Sequence, residues 1–168
     1  MSKIIARAVL LGGLLAGGFA FSALAEESLF RSTIVGSNPH TVIGGIPSGG
    51  LPWTVRSGSA ALDGDGRLRV EVRGLILPKL GNPGPVTSVS ASLVCGGAGG
   101  TAVATTDAVA LSAAGDAEIE SRIGVPSICF GAVILVRAVF NGRPGPWIAS
   151  TGFAGTSGSD DGEDKNQH

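Results

Sequence analysis

The sequence predicts an all-β fold, a two-sheet antiparallel sandwich, from three observations. The segment Cys129–Phe140 is an apolar run rich in β-branched residues, which favours a central strand buried on both faces over a helix. In Arg67–Arg73, charged and apolar residues alternate strictly, so one face of that strand is dry and the other is wet. Turn-forming residues recur about every 8 to 15 residues after the first 25, without a helical pattern between them.

The remaining elements follow from the same signals. We expect a first strand at Leu29–Val35 and then a long Gly/Pro-rich loop, Thr41–Pro52, that holds at most one short edge strand. The apolar residues of this loop are Val42, Ile43, Ile46 and Leu51, and we expect them to pack against the edge of the sandwich. The turn Asp63–Gly66 joins two extended runs into a hairpin. Further strands are expected at Val86–Cys95, Ala102–Leu111, Ala117–Val125 and Trp147–Phe153.

Two further predictions concern the central run and the pairing of two later strands. Arg137 is the single charge in the central run and requires a partner or a position near the rim. The segments Ala102–Leu111 and Ala117–Val125 flank a turn at Ala113–Asp116, which predicts that they pair as a hairpin.

The architecture resembles that of immunoglobulin-like sandwiches, and the resemblance stops at architecture. Cys95 and Cys129 are closer in sequence than the inter-sheet pair of that family, no Trp lies between them, and the chain has no Tyr. No functional residue is therefore carried over from it.

The ends of the chain indicate export. Residues 1–25 combine Lys3 and Arg7, an apolar stretch, and small residues before Glu26, which is the order of a cleavable signal peptide. We expect cleavage after Ala25, a β domain over residues 26–155, and a disordered acidic tail over residues 156–168. The alternative is an uncleaved signal that anchors the domain to a membrane.

The only two cysteines, Cys95 and Cys129, are expected to form one disulfide, since an exported chain meets oxidising conditions. A metal site is the rival interpretation, but with His40 as the one histidine of the domain the pair does not complete a tetrahedral zinc shell. We expect no metal and no cofactor.

Charge excludes nucleic acid as the expected partner. From Glu26 to Ser159 the chain has nine basic and nine acidic residues, so it lacks the positive field that nucleic-acid binding requires. The basic residues are Arg31, Arg56, Arg67, Arg69, Arg73, Lys79, Arg122, Arg137 and Arg143.

The sequence contains no catalytic constellation that we recognise. His40 lies alone in a loop, a Gly-x-Ser-x-Gly segment is missing, and the carboxylates fall at turns or on wet faces. The expectation is a non-catalytic domain, with an extracellular hydrolase of divergent site as the alternative.

Two residue groups are candidates for binding. Arg67, Arg69 and Arg73 recur on one strand face, where they could contact an anionic envelope polymer or simply pair with Glu71, Glu118 and Glu120. Trp53 and Trp147 each follow a proline and could form an exposed aromatic platform or belong to the core. The sequence thus predicts a secreted binding or structural module of the cell envelope or extracellular space, whose partner is an envelope polymer or another protein.

Overall fold

The computed structural model describes residues 28–152. The predicted signal peptide and acidic tail lie outside these residues. Within them the chain is all-β, and its one helical segment is a 3₁₀ turn at Gly97–Gly99. The strands are β1 Ser28–Gly36, β2 Val42–Ile43, β3 Ile46–Pro47, β4 Ser57–Asp63, β5 Arg67–Arg73, β6 Ser88–Cys95, β7 Thr101–Thr105, β8 Val109–Ala110, β9 Ala117–Arg122, β10 Val133–Phe140 and β11 Arg143–Thr151.

The main strands form one continuous antiparallel path in the order β7-β6-β10-β11-β1-β4-β5-β9, with β8 also paired to β6. Strand β1 joins the two halves of this path. Its residues Ile34–Gly36 pair with β11, whereas Ser28–Thr33 pair with β4. The half that contains β4, β5 and β9 curls into a half-barrel, and a separate ribbon of β2 and β3 lies outside the path.

The predicted central strand is confirmed in position but is shorter than expected. β10 begins at Val133, four residues later than the predicted Cys129, because residues 129–132 lead into it through a turn. It lies between β6 and β11, and Ile134, Leu135 and Val136 are fully buried. Arg137 has the partners that were expected, since its Nε donates to the Gly145 carbonyl at 2.8 Å and its Nη2 donates to the Pro144 carbonyl at 2.9 Å.

The hairpin turned at Asp63–Gly66 is also confirmed, since β4 pairs with β5. Leu68, Val70 and Val72 are buried, as their alternation predicted. The last strand begins earlier than expected, at Arg143 rather than Trp147. Asn141 and Gly142 both have positive φ, 51° and 72°, so a two-residue turn of the primed type joins β10 directly to β11.

The hairpin predicted between Ala102–Leu111 and Ala117–Val125 is wrong. The local turn forms, with the Gly115 N–H donating to the Ser112 carbonyl at 2.9 Å, but its two arms separate. β7 and β8 pair with β6, whereas β9 pairs with β5. The reason lies in the core: Ala104 of β7 packs against it beside β6, whereas β9 buries Ala117 and Ile119 in the core beside β5.

The loop Thr41–Pro52 is more ordered than predicted, because it folds into the β2–β3 ribbon. Ile43 and Ile46 pack over Val94, Leu135 and Trp147, on the face of the sheet opposite the main core. The expectation that the four apolar residues of this loop pack against the edge of the sandwich is wrong for two of them, since Val42 and Leu51 are 57% and 55% exposed.

Candidate functional site

The predicted disulfide is confirmed: Cys95 and Cys129 are bonded, with their Cα atoms 5.0 Å apart. The bond links the end of β6 to the loop that precedes β10. Backbone hydrogen bonds continue this link, because the N–H groups of Gly96 and Gly97 donate to the carbonyls of Phe130 and Gly131 at 2.6 and 3.0 Å. The cysteines therefore hold the start of the central strand in register.

The three candidate arginines lie on the outward face of β5, and two of them form the ion pairs that the alternative interpretation predicted. Arg69 Nε is 2.7 Å from Glu120 Oε1, and Arg73 Nη2 is 2.8 Å from Glu71 Oε1. In each case the hydrogen bond from the neighbouring carboxylate raises the pKa of the arginine above its ordinary value. Arg67 lies nearer the hairpin turn, 3.7 Å from Asp65.

Asp65 is the charged centre of that turn. Its carboxylate accepts a hydrogen bond from the backbone N–H of Arg67 at 3.0 Å and one from Arg122 Nη2 at 2.8 Å. The first of these contacts, helped by the positive charge of Arg122, lowers the pKa of Asp65 below 3.8. The ionised carboxylate of Asp65 thus links β9 to the β4–β5 turn through its hydrogen bond with Arg122.

A shallow groove, which we call the β4 groove, runs over the outward face of β4. Its floor consists of small residues, and longer side chains of β1 and β5 form its walls. It comprises two adjoining depressions of about 250 and 420 Å³ that share Ser59. The lining includes Arg31, Ser57, Ser59, Ala61, Asp63, Arg69, Glu71 and Arg73.

The two candidate tryptophans are buried, 7% exposed for Trp53 and 4% for Trp147, which agrees with the core interpretation. They belong to different apolar clusters, so they do not form an exposed aromatic pair. The indole N–H of Trp147 donates to the Ile46 carbonyl at 3.0 Å and fixes the β2–β3 ribbon to the sheet. A binding role for either side chain stays a prediction.

Sequence reasoning missed a second surface, which we call the apolar cleft. It consists of two neighbouring depressions of about 180 and 210 Å³ that both contact Leu51 and Leu77. Leu51, Leu80 and Phe140 project around it and are 55%, 56% and 44% exposed. The other main lining residues are Pro52, Trp53, Pro78, Lys79, Pro85, Val86, Pro146 and Ile148.

Backbone hydrogen bonds give the apolar cleft a fixed shape. The N–H of Trp53 donates to the Ser37 carbonyl at 2.9 Å, and the N–H of Leu77 donates to the Asn82 carbonyl at 3.1 Å. Gly36 permits the first of these contacts, since a Cβ there would lie 1.9 Å from the Trp53 carbonyl oxygen. The feature of the sequence that could have indicated the apolar cleft is the cluster of prolines near Leu51 and Leu80. Proline-rich segments, however, usually indicate connecting loops and not the lining of a binding site.

Among residues 28–152, no group of three or more His, Cys, Asp or Glu side chains is placed to hold a metal ion. In the same residues, no helix has the length and hydropathy needed to cross a bilayer.

Comparison with protein-family models, with curated proteins and with solved structures finds no match.

Proposed function

We propose that this chain is an exported, non-catalytic binding domain that recognises a partner protein through the apolar cleft. The observation behind this proposal is the exposure of Leu51, Leu80 and Phe140 around one cleft. Grouped apolar side chains of this size cost free energy in water, and on soluble proteins such patches usually mark interaction surfaces.

The dimensions of the apolar cleft favour a protein over a small molecule. Pockets that enclose drug-sized ligands have volumes of roughly 300 to 1,000 Å³, and each depression here is smaller. Projecting leucine and phenylalanine side chains instead suit an interface core, in which apolar anchors of two proteins interdigitate. Because Lys79 is the one charged residue among the described residues that line the apolar cleft, the partner surface is expected to be apolar.

The disulfide and the first 25 residues support export. A disulfide persists in oxidising compartments and is rare in reducing ones, and residues 1–25 have the order of a cleavable signal. We infer that cleavage after Ala25 releases the domain outside the cytoplasm or into the cell envelope.

We also infer that the two halves of the strand path form the two layers of a sandwich. This two-layer arrangement is the only respect in which we propose an immunoglobulin-like architecture. The support is a shared core: buried residues of β5 and β9 belong to the same cluster as those of β6 and β10. Leu68 and Ile119 represent the first half and Leu93 and Ile134 the second.

Affinity capture from the exported proteins of the producing cells tests the binding proposal. The full exported chain is immobilised and compared with the double variant Leu51→Ser, Leu80→Ser. Both leucines are exposed, so the variant is expected to fold. The amount of partner that it captures is expected to be at least tenfold lower. Val42→Ser serves as the matched control, because Val42 is equally exposed but lies on the β2–β3 ribbon.

Capture of the same partner by the wild type and the control but not by the double variant supports the proposal. Equal capture by all three proteins contradicts it, and turnover of an offered ester or glycoside by the purified chain would favour the hydrolase alternative.

The intact mass of the exported protein tests the export proposal separately. We expect a chain that begins at Glu26 and lacks the two thiol hydrogens. A membrane-bound chain that begins at Met1 would instead support the anchored alternative.

A further inference from the structure

The pairing register places two arginines opposite each other across the β4 groove. Arg31 of β1 pairs with Ala61 of β4, and Ala61 pairs with Arg69 of β5. Partners in directly opposite positions point to the same face, so both guanidinium groups stand on the outward face with a methyl group between them. Two strand spacings separate their backbones by roughly 10 Å.

Like charges that face each other across a groove repel, and an anion between them relieves the repulsion. Among the residues 28–152 that line the depression bordered by Arg31 and Arg69, Asp63 is the one acidic residue, and Glu120 pairs with Arg69 from outside it. The charges nearly balance when Glu120 is counted, so the attraction for an anion comes from two guanidinium groups bordering one depression and not from a net positive charge.

The ion pair with Glu120 orients the Arg69 side chain but does not use all of its N–H donors. The contact runs through Nε at 2.7 Å, which is one of five N–H donors on the guanidinium group. Both partners are 57% exposed, and exposed pairs of this kind contribute little to stability. A ligand can thus use the remaining donors of Arg69 while Glu120 holds the side chain in place.

The floor of the β4 groove continues from the position between Arg31 and Arg69 toward a third arginine, Arg73. Ser59 pairs with Glu71, and Ser57 pairs with Arg73, in the next two rows of the same face. Because alternate residues of a strand are about 7 Å apart, Arg73 lies roughly 13 Å from Arg69. Between them the surface offers the Ser59 hydroxyl and the Glu71 carboxylate. Glu71 Oε1 accepts from Arg73 Nε and Nη2 at 2.8 Å, and its second oxygen can accept a hydrogen bond from a sugar hydroxyl, while Arg73 keeps further N–H donors for an acidic group.

We propose that the β4 groove binds an extended acidic polysaccharide in which charged and uncharged sugar units alternate. An acidic group of the polymer lies between Arg31 and Arg69, a hydroxyl-rich unit contacts Ser59 and Glu71, and the next acidic group reaches Arg73. Within residues 28–152, none of the residues that line the groove is aromatic, so recognition depends on charge and hydrogen bonds rather than on stacking against sugar rings.

Retention of the exported protein on immobilised hyaluronan, with dextran as the neutral comparison, tests this proposal. We expect retention on hyaluronan, weaker retention as salt rises, and none on dextran. The double variant Arg31→Ser, Arg69→Ser is expected to weaken retention at least tenfold. Arg56→Ser, Arg143→Ser removes the same charge at two exposed residues outside the groove lining and is expected to retain the wild-type behaviour.

A gain of retention provides a second readout that a purely structural role of these residues would not produce. Asp63→Asn removes the acidic residue beside Arg31 and Arg69 and is expected to strengthen retention several-fold. Circular dichroism of every variant separates loss of binding from loss of fold. Failure of the wild type to bind hyaluronan, equal retention on dextran, or equal loss in both double variants would each overturn the proposal.

Discussion

At the scale of single residues, the outward face of the β4–β5–β9 half satisfies most of its charge internally. The alternation in Arg67–Arg73 predicted this arrangement, including the pairing of Arg69 with Glu120 on a neighbouring strand. Sequence periodicity could identify the face, because a strand has a fixed period of two. It could not identify Arg31 as the residue opposite Arg69, since that juxtaposition depends on the order of β1, β4 and β5.

Acid is expected to weaken the fold through Asp65. Its folded pKa is lowered by the Arg67 amide hydrogen bond and by Arg122, so the ionised carboxylate stabilises the folded state above pH 3.8 and this contribution is lost as the pH falls through the folded pKa. Urea unfolding at pH 7 and at pH 3 measures the effect. Asp65→Asn is expected to lose less stability between the two than the wild type, and identical losses would contradict the assignment.

Gly115 is expected to resist substitution. Its φ is +79°, and a Cβ there would lie 2.4 Å from the Leu75 carbonyl oxygen. The left-handed conformation alone costs an L-residue roughly 1 to 2 kcal/mol, so Gly115→Ala is expected to lower the free energy of unfolding by about 2 kcal/mol or more. Gly124→Ala is the control, because nothing lies within 4 Å of a Cβ at Gly124; equal effects in the two variants would contradict the account.

At the scale of elements, the local signals were reliable and the long-range partners were not. The turn residues at Asp63–Gly66 identified the β4–β5 hairpin, because backbone preference at these positions is a local property. The turn before β11 is tighter than expected, since the chain reverses within Asn141–Gly142 and the strand already begins at Arg143. The turn at Ser112–Asp116 also forms, yet its arms join different halves of the sheet. Strand choice depends on packing across the core and on charge pairs between strands, and a single sequence does not reveal these.

The second face of β6 gives an element-scale prediction. Ser90 and Ser92 lie opposite Arg137 and Leu135, on the face that the β2–β3 ribbon covers, and both are fully buried. Ser92 Oγ is hydrogen-bonded to Thr105 Oγ1 at 2.8 Å, whereas Ser90 Oγ has no partner among the described protein atoms.

Ser90→Ala is therefore expected to be neutral or to raise the free energy of unfolding by about 1 kcal/mol, because it removes an unsatisfied buried hydroxyl. Ser92→Ala is expected to lower the free energy of unfolding by about 1 kcal/mol, because it removes a hydrogen bond. Chemical denaturation of the two variants in parallel measures both changes. The opposite order of stabilities would show that the environment of Ser90 is not as described.

At the scale of the whole molecule, the all-β class and the disulfide were predictable because they depend on composition, periodicity and cysteine number. The apolar cleft was not, because its walls come from residues that are distant in sequence, such as Leu51, Leu80 and Phe140. Apolar residues in a Gly/Pro-rich loop were expected to pack inward, and Leu51 does the opposite.

The disulfide is expected to contribute a large part of the net stability. Closing a loop with a sequence separation of 34 residues restricts the unfolded chain by roughly 3 to 4 kcal/mol in the chain-entropy treatment. The double variant Cys95→Ala, Cys129→Ala should lose about that much, and wild-type protein kept reduced should lose a similar amount. A loss below about 1 kcal/mol would contradict the expected restriction of the unfolded chain.

The most direct test of the proposed function is photocrosslinking in the producing cells with a benzophenone amino acid at Phe140, a rim position of the apolar cleft. The account predicts a discrete crosslinked adduct with one exported or envelope protein from this position, and no such adduct from the same amino acid at Val42, which is also exposed. Absence of an adduct at Phe140, or the same adducts at both positions, would contradict it.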